Sequence, residues 1–206
     1  FKTAIVERYA VLGGTCLNVG CIPSKALLDS SEHFHNAETR FVEHGIKVSK
    51  LQLDLKQMIA RKNDVVNQTN GGVSYLMKKN KIDVIHGHAS FVSEKKIVVK
   101  SDSGQAEYEF DKAIIATGSK PITPDAFNYD KKRVITSTEA LNIDVLPKKM
   151  VIIGAGVIGL ELGSVFARLG TEIEVIEFQN TILPGMDKDA SKELQRSLKK
   201  LGIKFN

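Results

Sequence analysis

The chain is poor in cysteine, proline and aromatic residues, and these shortages narrow what it can be. Two cysteines among 206 residues are too few for the disulfide-built scaffold of a small secreted domain. A structural zinc site needs about four ligands. His33 and His35 follow the second cysteine, but their His-x-His spacing beyond a Gly-rich stretch fits zinc poorly, and they read as plain helix residues. No apolar run approaches the ~18 residues of a membrane-spanning helix, and no signal-peptide pattern opens the chain. Aromatics make up only 6% and do not interleave with a basic stripe. The 29 basic and 24 acidic residues are scattered, so neither a nucleic-acid nor a membrane partner is expected. An initiating Met is also missing. Phe1 leads directly into the strand-like KTAIVE, and the chain closes at the strand-like GIKFN. The expectation is an internal fragment of a longer protein, with any targeting region outside it.

What is present alternates short apolar strands with amphipathic helices, the pattern of an α/β protein. KTAIVE reads as a short parallel strand ending in an acid, and SKALLDSSEHFHNAE, after Pro23, as a helix. Leu55, Met58, Ile59, Val65, Val66, Val73 and Leu76 follow amphipathic-helix spacing. Gly71–Gly72 is expected to kink or break that helix, at about 1 kcal/mol per glycine. IDVIHGHASF reads as a strand and a turn, KKIVVK–SDSGQ–AEYEF as a hairpin, and KAIIATG as one more apolar strand. Residues 120–147, with Pro121, Pro124 and Pro147, have connector composition and hold the expected domain boundary. A fresh unit follows: strand KMVII, a Gly-rich turn, helix VIGLELGSVFARL stopped by Gly170, strand EIEVIE, and an amphipathic segment over 187–201. Both parts contain a strand finishing in glutamate, Glu7 and Glu177, which points to two nucleotide-binding folds in tandem.

The Gly-rich turn has the G-x-G-x-x-G pattern at Gly154, Gly156 and Gly159, between an apolar strand and a helix. Gly154 allows the tight turn, and Gly156 removes a side chain that would block a pyrophosphate. Gly159 and Gly163 let the helix pack close to the sheet. The helix N–H groups over Ala155, Val157 and Ile158 would meet the phosphates. Glu177, at the tip of the next strand, can accept hydrogen bonds from both ribose hydroxyls and would repel a 2′-phosphate. NAD is therefore favoured over NADP.

The two cysteines, Cys16 and Cys21, lie in GGTCLNVGCIPSK. A regular helix separates residues five apart by about 7.5 Å and staggers them by roughly 140°. They can bond only if the backbone between them is distorted, which Asn18 and Gly20 tolerate, with Pro23 starting a regular helix just afterwards. A disulfide at a helix N-terminus opens readily because the dipole there stabilises the emerging thiolate. The pair reads as redox-active.

GGTCLNVGCIPSK resembles the active-site segment of the FAD-dependent pyridine nucleotide–disulfide oxidoreductases. AIVERY…GGTC, GHASF, AIIATGSKP and GAGVIGLELGSVFARLG resemble further motifs of that family in the family's order, so the resemblance spans the whole chain. CLNVGCIPSKALL fits the lipoamide branch better than the glutathione or mercuric reductase branches, which usually favour NADPH and carry basic residues where Glu177 stands. A non-catalytic scaffold is a further alternative, against which the intact cysteines and Lys25 argue.

The resemblance implies two tandem Rossmann-like domains, both incomplete: residues 1–121 binding FAD and 122–206 binding NAD, with a C-terminal dimerisation domain absent. Glu7 would hold the adenosine ribose of FAD, with Gly13, Gly14 and Thr15 near its pyrophosphate. Ala89 would contact the adenine side, and Thr117, Gly118 and Ser119 would close over the cofactor. Cys16 would be the interchange thiol that meets substrate, and Cys21 the thiol beside the flavin. Lys25 would hold a positive charge near the flavin's reactive nitrogen. Glu161 points away from its own sheet and is expected to pair with Lys25 across the two domains. The implied activity is oxidation of protein-bound dihydrolipoamide, the partners being lipoyl domains of 2-oxo acid dehydrogenase complexes or of the glycine cleavage system. A homodimer is implied, in the bacterial cytoplasm or the mitochondrial matrix. The substrate acid/base His–Glu pair would come from the absent domain, and none of His33, His35, His44, His86 or His88 matches it.

Overall fold

A computed structural model describes residues 1–206. The chain divides into two compact units, one of Phe1–Asn18 with Val66–Lys120 and the other of Val19–Val65 with Pro121–Asn206.

In the first unit, β1 (Ala4–Glu7) pairs in parallel with β2 (Asp83–His86), which sets Glu7 opposite His86. IDVIHGHASF forms two strands, because Gly87 turns the chain at φ +152° into β3 (His88–Ser93). A Cβ at Gly87 would sit 2.6 Å from the Lys100 carbonyl oxygen, so only glycine fits this joint. β4 (Lys96–Ser101) and β5 (Gly104–Glu109) complete an antiparallel meander, with Val98 and Val99 of β4 buried. The expected strand KAIIATG does not form. A strand requires a partner for its backbone, and nothing in the chain pairs with residues 112–118, where Ile114 is 93% exposed.

The second unit is built around a parallel sheet in the order β6 (Lys149–Ile153), β7 (Glu172–Ile176), β8 (Lys204–Phe205). Two helices cross between the strands, α5 (Val157–Arg168) and α6 (Lys188–Lys200). They follow α1 (Gly14–Val19), α2 (Cys21–Thr39), α3 (Leu55–Lys79) and the short α4 (Ser137–Ala140) in the chain. α5 is buried on nearly every side. Leu160, Leu162, Val165 and Phe166 join Ile173 and Val175 of β7, and Leu27 of α2, in one core. Each such side chain contributes about 1.5–3 kcal/mol on leaving water. α4 begins with a capping box, in which the Thr136 hydroxyl accepts from Thr138 N–H and Glu139 Oε2 accepts from Thr136 N–H.

Gly71–Gly72 does not break α3, which is continuous through 25 residues. The combined cost of about 2 kcal/mol is carried by the intrahelical bonds on either side, since helix formation is cooperative over the whole segment.

Candidate active site

The backbone of the cysteine segment breaks at one residue. Gly20 stands between α1 and α2 at φ −137°, ψ −116°, and this single turn of the backbone ends one helix and starts the next. Asn18 is not distorted. It is helical, and its Nδ2 donates to the Leu12 and Gly14 carbonyls while its Oδ1 accepts from Asn70. α2 begins at Cys21 rather than after Pro23. The Ser24 N–H makes the first intrahelical bond, to the Gly20 carbonyl at 3.0 Å. Pro23 therefore occupies a first-turn position where an N–H would have no partner in any case. Both thiols are exposed, Cys16 in the first unit and Cys21 at the positive end of α2 in the second.

Lys25 lies one turn beyond Cys21 on the same helical face. Its Nζ donates to Glu161 Oε1 at 2.5 Å. The expected pair is present: α2 packs directly on α5, and both residues lie in the second compact unit. Glu161 faces α2 because the opposite side of α5 is committed to the sheet. A Cβ on Gly159 would come within 2.9 Å of Ile152 Cγ2, and one on Gly163 within 2.7 Å of Ile152 Cδ1.

At the start of α5, Gly154 (φ +96°) turns the chain out of β6, and its N–H donates to the Ile176 carbonyl at 2.8 Å. Apart from its own chain neighbours, no atom lies within 4 Å of where a Cβ of Gly156 would stand, so the turn faces open space. The first helical bond is Leu160 N–H to the Gly156 carbonyl. That leaves the N–H groups of Val157, Ile158 and Gly159 at the positive helix end without intrahelical acceptors. Glu177 closes the turn from below: Oε2 accepts from Ala155 N–H at 2.7 Å and Oε1 from Gln179 N–H at 2.9 Å. These bonds, Gln179 first, hold its carboxyl below the ordinary carboxylate value. The first unit repeats the device at the tip of β1, where Glu7 Oε1 accepts from Tyr9 N–H at 2.9 Å.

The remaining expected residues lie in the first unit. Gly13 (φ +102°) and Gly14 (φ +58°) bring bare backbone to the surface before Thr15 and Cys16. Ala89 lies in β3 opposite Val99. Thr117, Gly118 and Ser119 form an exposed loop in which Gly118 has φ +72°. His33 is paired with Asp29 at 3.6 Å along the exposed face of α2.

Sequence reasoning missed how α2 is held. Arg61 of α3 donates Nη1 to the Ala26 carbonyl and to Ser30 Oγ, both at 3.1 Å, and Nη2 to Asp29 Oδ2 at 2.7 Å. Arg168 at the end of α5 meets Glu32 at 2.7 Å. Nothing in the local pattern announces either contact. The capping box at 136–139 had a readable signal, T-x-x-E.

The fold is an α/β fold shared with flavoprotein disulfide reductases. A crystal structure of LpdA from Mycobacterium tuberculosis superposes with a TM-score of 0.88 at 23% identity, covering 100% of this chain and 45% of that one. The HOCl-induced flavoprotein disulfide reductase RclA from Escherichia coli gives 0.81 at 28% identity, covering 100% and 43%. The profile of the pyridine nucleotide-disulphide oxidoreductase family matches residues 1–206, and the chain belongs to that family. It is 47% identical to a mitochondrial dihydrolipoyl dehydrogenase of Pisum sativum, over 100% of this chain and 41% of the relative. It is also 47% identical to a leghemoglobin reductase of Vigna unguiculata, over 99% and 39%. The chain thus spans about 40% of the length of the curated relatives it matches. No helix is long and apolar enough to cross a membrane.

Proposed function

We propose that the protein containing this chain is a dihydrolipoyl dehydrogenase, which oxidises protein-bound dihydrolipoamide to lipoamide with NAD as final acceptor. The observation that carries the reading is the Lys25–Glu161 pair. It sets a fixed charge one turn past Cys21 on a helix packed against the one that leaves the Gly-rich turn. The 47% identity to a relative of that name supports the substrate. Neither a glutathione- or mercuric-reductase activity nor a non-catalytic scaffold is favoured.

The Gly-rich turn fits a dinucleotide. The open face at Gly156, the first-turn N–H groups of α5 and the oriented Glu177 carboxylate suit a dinucleotide diphosphate and an unphosphorylated ribose. NAD would be held by Gly154–Gly159, Glu161 and Glu177. FAD would be held by Glu7, Gly13, Gly14, Thr15, Cys16, Lys25, Ala89 and Thr117–Ser119. When bound, FAD supplies the two-electron relay between the thiol pair and NAD. We assign the FAD-binding domain to residues 1–121 and the NAD-binding domain to 122–206, each Rossmann-like and incomplete.

From the oxidised pair, a substrate thiolate attacks the Cys16 sulfur. The Cys16–Cys21 bond breaks, a mixed disulfide forms, and Cys21 departs as thiolate. The second substrate thiolate then displaces Cys16, so lipoamide leaves with its S–S bond closed and two electrons remain on the cysteine pair. The N-terminus of α2 stabilises the Cys21 thiolate, and the Lys25 ammonium adds positive charge one turn away. The partners would be lipoyl domains of 2-oxo acid dehydrogenase complexes or of the glycine cleavage system. The protein would work as a homodimer, in the mitochondrial matrix or the bacterial cytoplasm.

The test is the full-length protein assayed with dihydrolipoamide against NAD and NADP. NAD-linked turnover at least tenfold above NADP is expected. Preference for NADP, or reduction of glutathione disulfide in place of lipoamide oxidation, overturns the reading.

A further inference from the structure

We infer that Arg61 and Arg168 are positioning residues for Lys25, which they serve by gripping α2 from two sides. The inference rests on the reading of Cys21 as a reacting thiol. Arg61 reaches from α3 to three acceptors on the turn that directly follows Lys25: the Ala26 carbonyl, Ser30 Oγ and Asp29 Oδ2. A planar guanidinium that engages a backbone carbonyl, a hydroxyl and a carboxylate at once fixes the rotation of that turn, which a single ammonium contact does not. Arg168 reaches from the last turn of α5 to Glu32, two turns further along α2. Its ion pair repeats Lys25–Glu161 with the charges exchanged: the cation is on α2 in one pair and on α5 in the other. Sliding α2 by two turns along α5 would set Lys25 against Arg168 or Glu32 against Glu161. The crossed polarity therefore rejects that register.

The Lys25 ammonium is itself exposed, with 59% of its side chain open to solvent, so its own packing does not fix it. Its place beside Glu161 and over the first turn of α2 follows from where α2 lies. Freed from either arginine, α2 can rotate or slide by a fraction of a turn, and the charge one turn past Cys21 moves with it. The thiol would then be less readily ionised.

The experiment uses the full-length protein reduced with dithiothreitol, with cysteine alkylation by iodoacetamide followed from pH 4 to 10. Lipoamide kinetics are measured alongside. Arg168→Met and Arg61→Met are each expected to move the alkylation midpoint up by about half a pH unit or more. Their kcat should fall about threefold to tenfold with KM changed less than twofold. The exchanged pair Glu32→Arg with Arg168→Glu keeps the ion pair but gives up the crossed polarity, so it is expected to move the midpoint back toward wild type without fully restoring it, and Arg61→Lys likewise to restore part of it. Midpoints in both Met variants that coincide with wild type overturn the inference, whatever happens to Tm. So does a shift in Arg168→Met that the exchanged pair fails to reverse even in part, which would make the effect one of charge rather than of place. Should Arg168→Met fail to fold, Glu32→Gln removes the same ion pair and carries the test. Absence of dihydrolipoamide-dependent NAD reduction in the wild type would instead refute the functional reading, leaving the alkylation profiles to decide the positioning.

Discussion

Lys25 on α2 and Glu161 on α5 meet at 2.5 Å although 136 positions separate them in the chain. Two features of the sequence produce the contact. Gly159 and Gly163 turn one side of α5 flat against Ile152, so Glu161 projects from the other side. Gly20 starts α2 at Cys21, so that Lys25 falls one turn in, over the interface with α5. The helix that begins at Cys21 and the helix that leaves the Gly-rich turn thereby share one core.

The proposed function makes the pair one that serves the reaction more than stability. Lys25 is 59% and Glu161 27% exposed, and pairs so open contribute only about 0–1 kcal/mol. Glu161→Gln is expected to change unfolding free energy by less than about 1 kcal/mol while lowering kcat for lipoamide oxidation at least tenfold. Urea denaturation and steady-state kinetics on the same preparation check this. A large loss of stability with normal turnover would reverse the assignment.

Cys21→Ser should abolish lipoamide turnover, because the Cys16 sulfur then has no disulfide partner to release when substrate attacks. The long-wavelength absorbance of the half-reduced enzyme should disappear with it. The assay is NADH formation at 340 nm together with a stoichiometric reductive titration. Normal turnover in this variant would remove Cys21 from the mechanism.

Glu177 carries a pH dependence whose sign follows from its bonds. The Gln179 and Ala155 N–H groups hold its folded-state pKa below the ordinary 4.5. The stabilisation is therefore present above the unfolded value and lost as pH falls through the folded one. The Tm difference between wild type and Glu177→Gln should be open at pH 7 and should narrow as pH falls below 4.5. The variant should also lose much of the preference for NAD over NADP, since the carboxylate no longer repels a 2′-phosphate. A Tm gap that widens on acidification would contradict this.

Much of this was legible in the sequence, and the limits have physical causes. β6, α5, β7 and α6 follow from periodicity and a Gly-rich turn, because their signals are local. The Lys25–Glu161 pair could be anticipated because Gly159 and Gly163 fix which side of α5 faces the sheet. KAIIATG misled because its composition suits a strand, yet a strand exists only where another backbone pairs with it. Gly71–Gly72 misled because propensity weighs single residues, whereas helix formation is cooperative over the whole of α3. Arg61, Arg168 and Lys62 left no local trace, since their roles are set by partners far away in the chain.

Lys62 supplies the last test. Its residue is 3% exposed, and its ammonium donates to a neutral acceptor, Asn142 Oδ1, at 2.6 Å. Burial lowers its folded-state pKa from the usual 10.5. Below the folded value both states are protonated, and the folded one bears the cost of a buried charge. As pH rises from the folded value toward 10.5, the folded state sheds its proton first and stability increases. Lys62→Met removes the buried charge and keeps most of the volume. Asn142 is exposed, so its freed oxygen can turn to water. At pH 7 the variant is expected to be as stable as wild type or more so, by up to about 2 kcal/mol, and the difference should shrink as pH approaches 10. Urea denaturation at pH 7 and pH 10 decides. A loss of more than about 2 kcal/mol at pH 7 would mean that the Asn142 bond outweighs the cost of burying the charge.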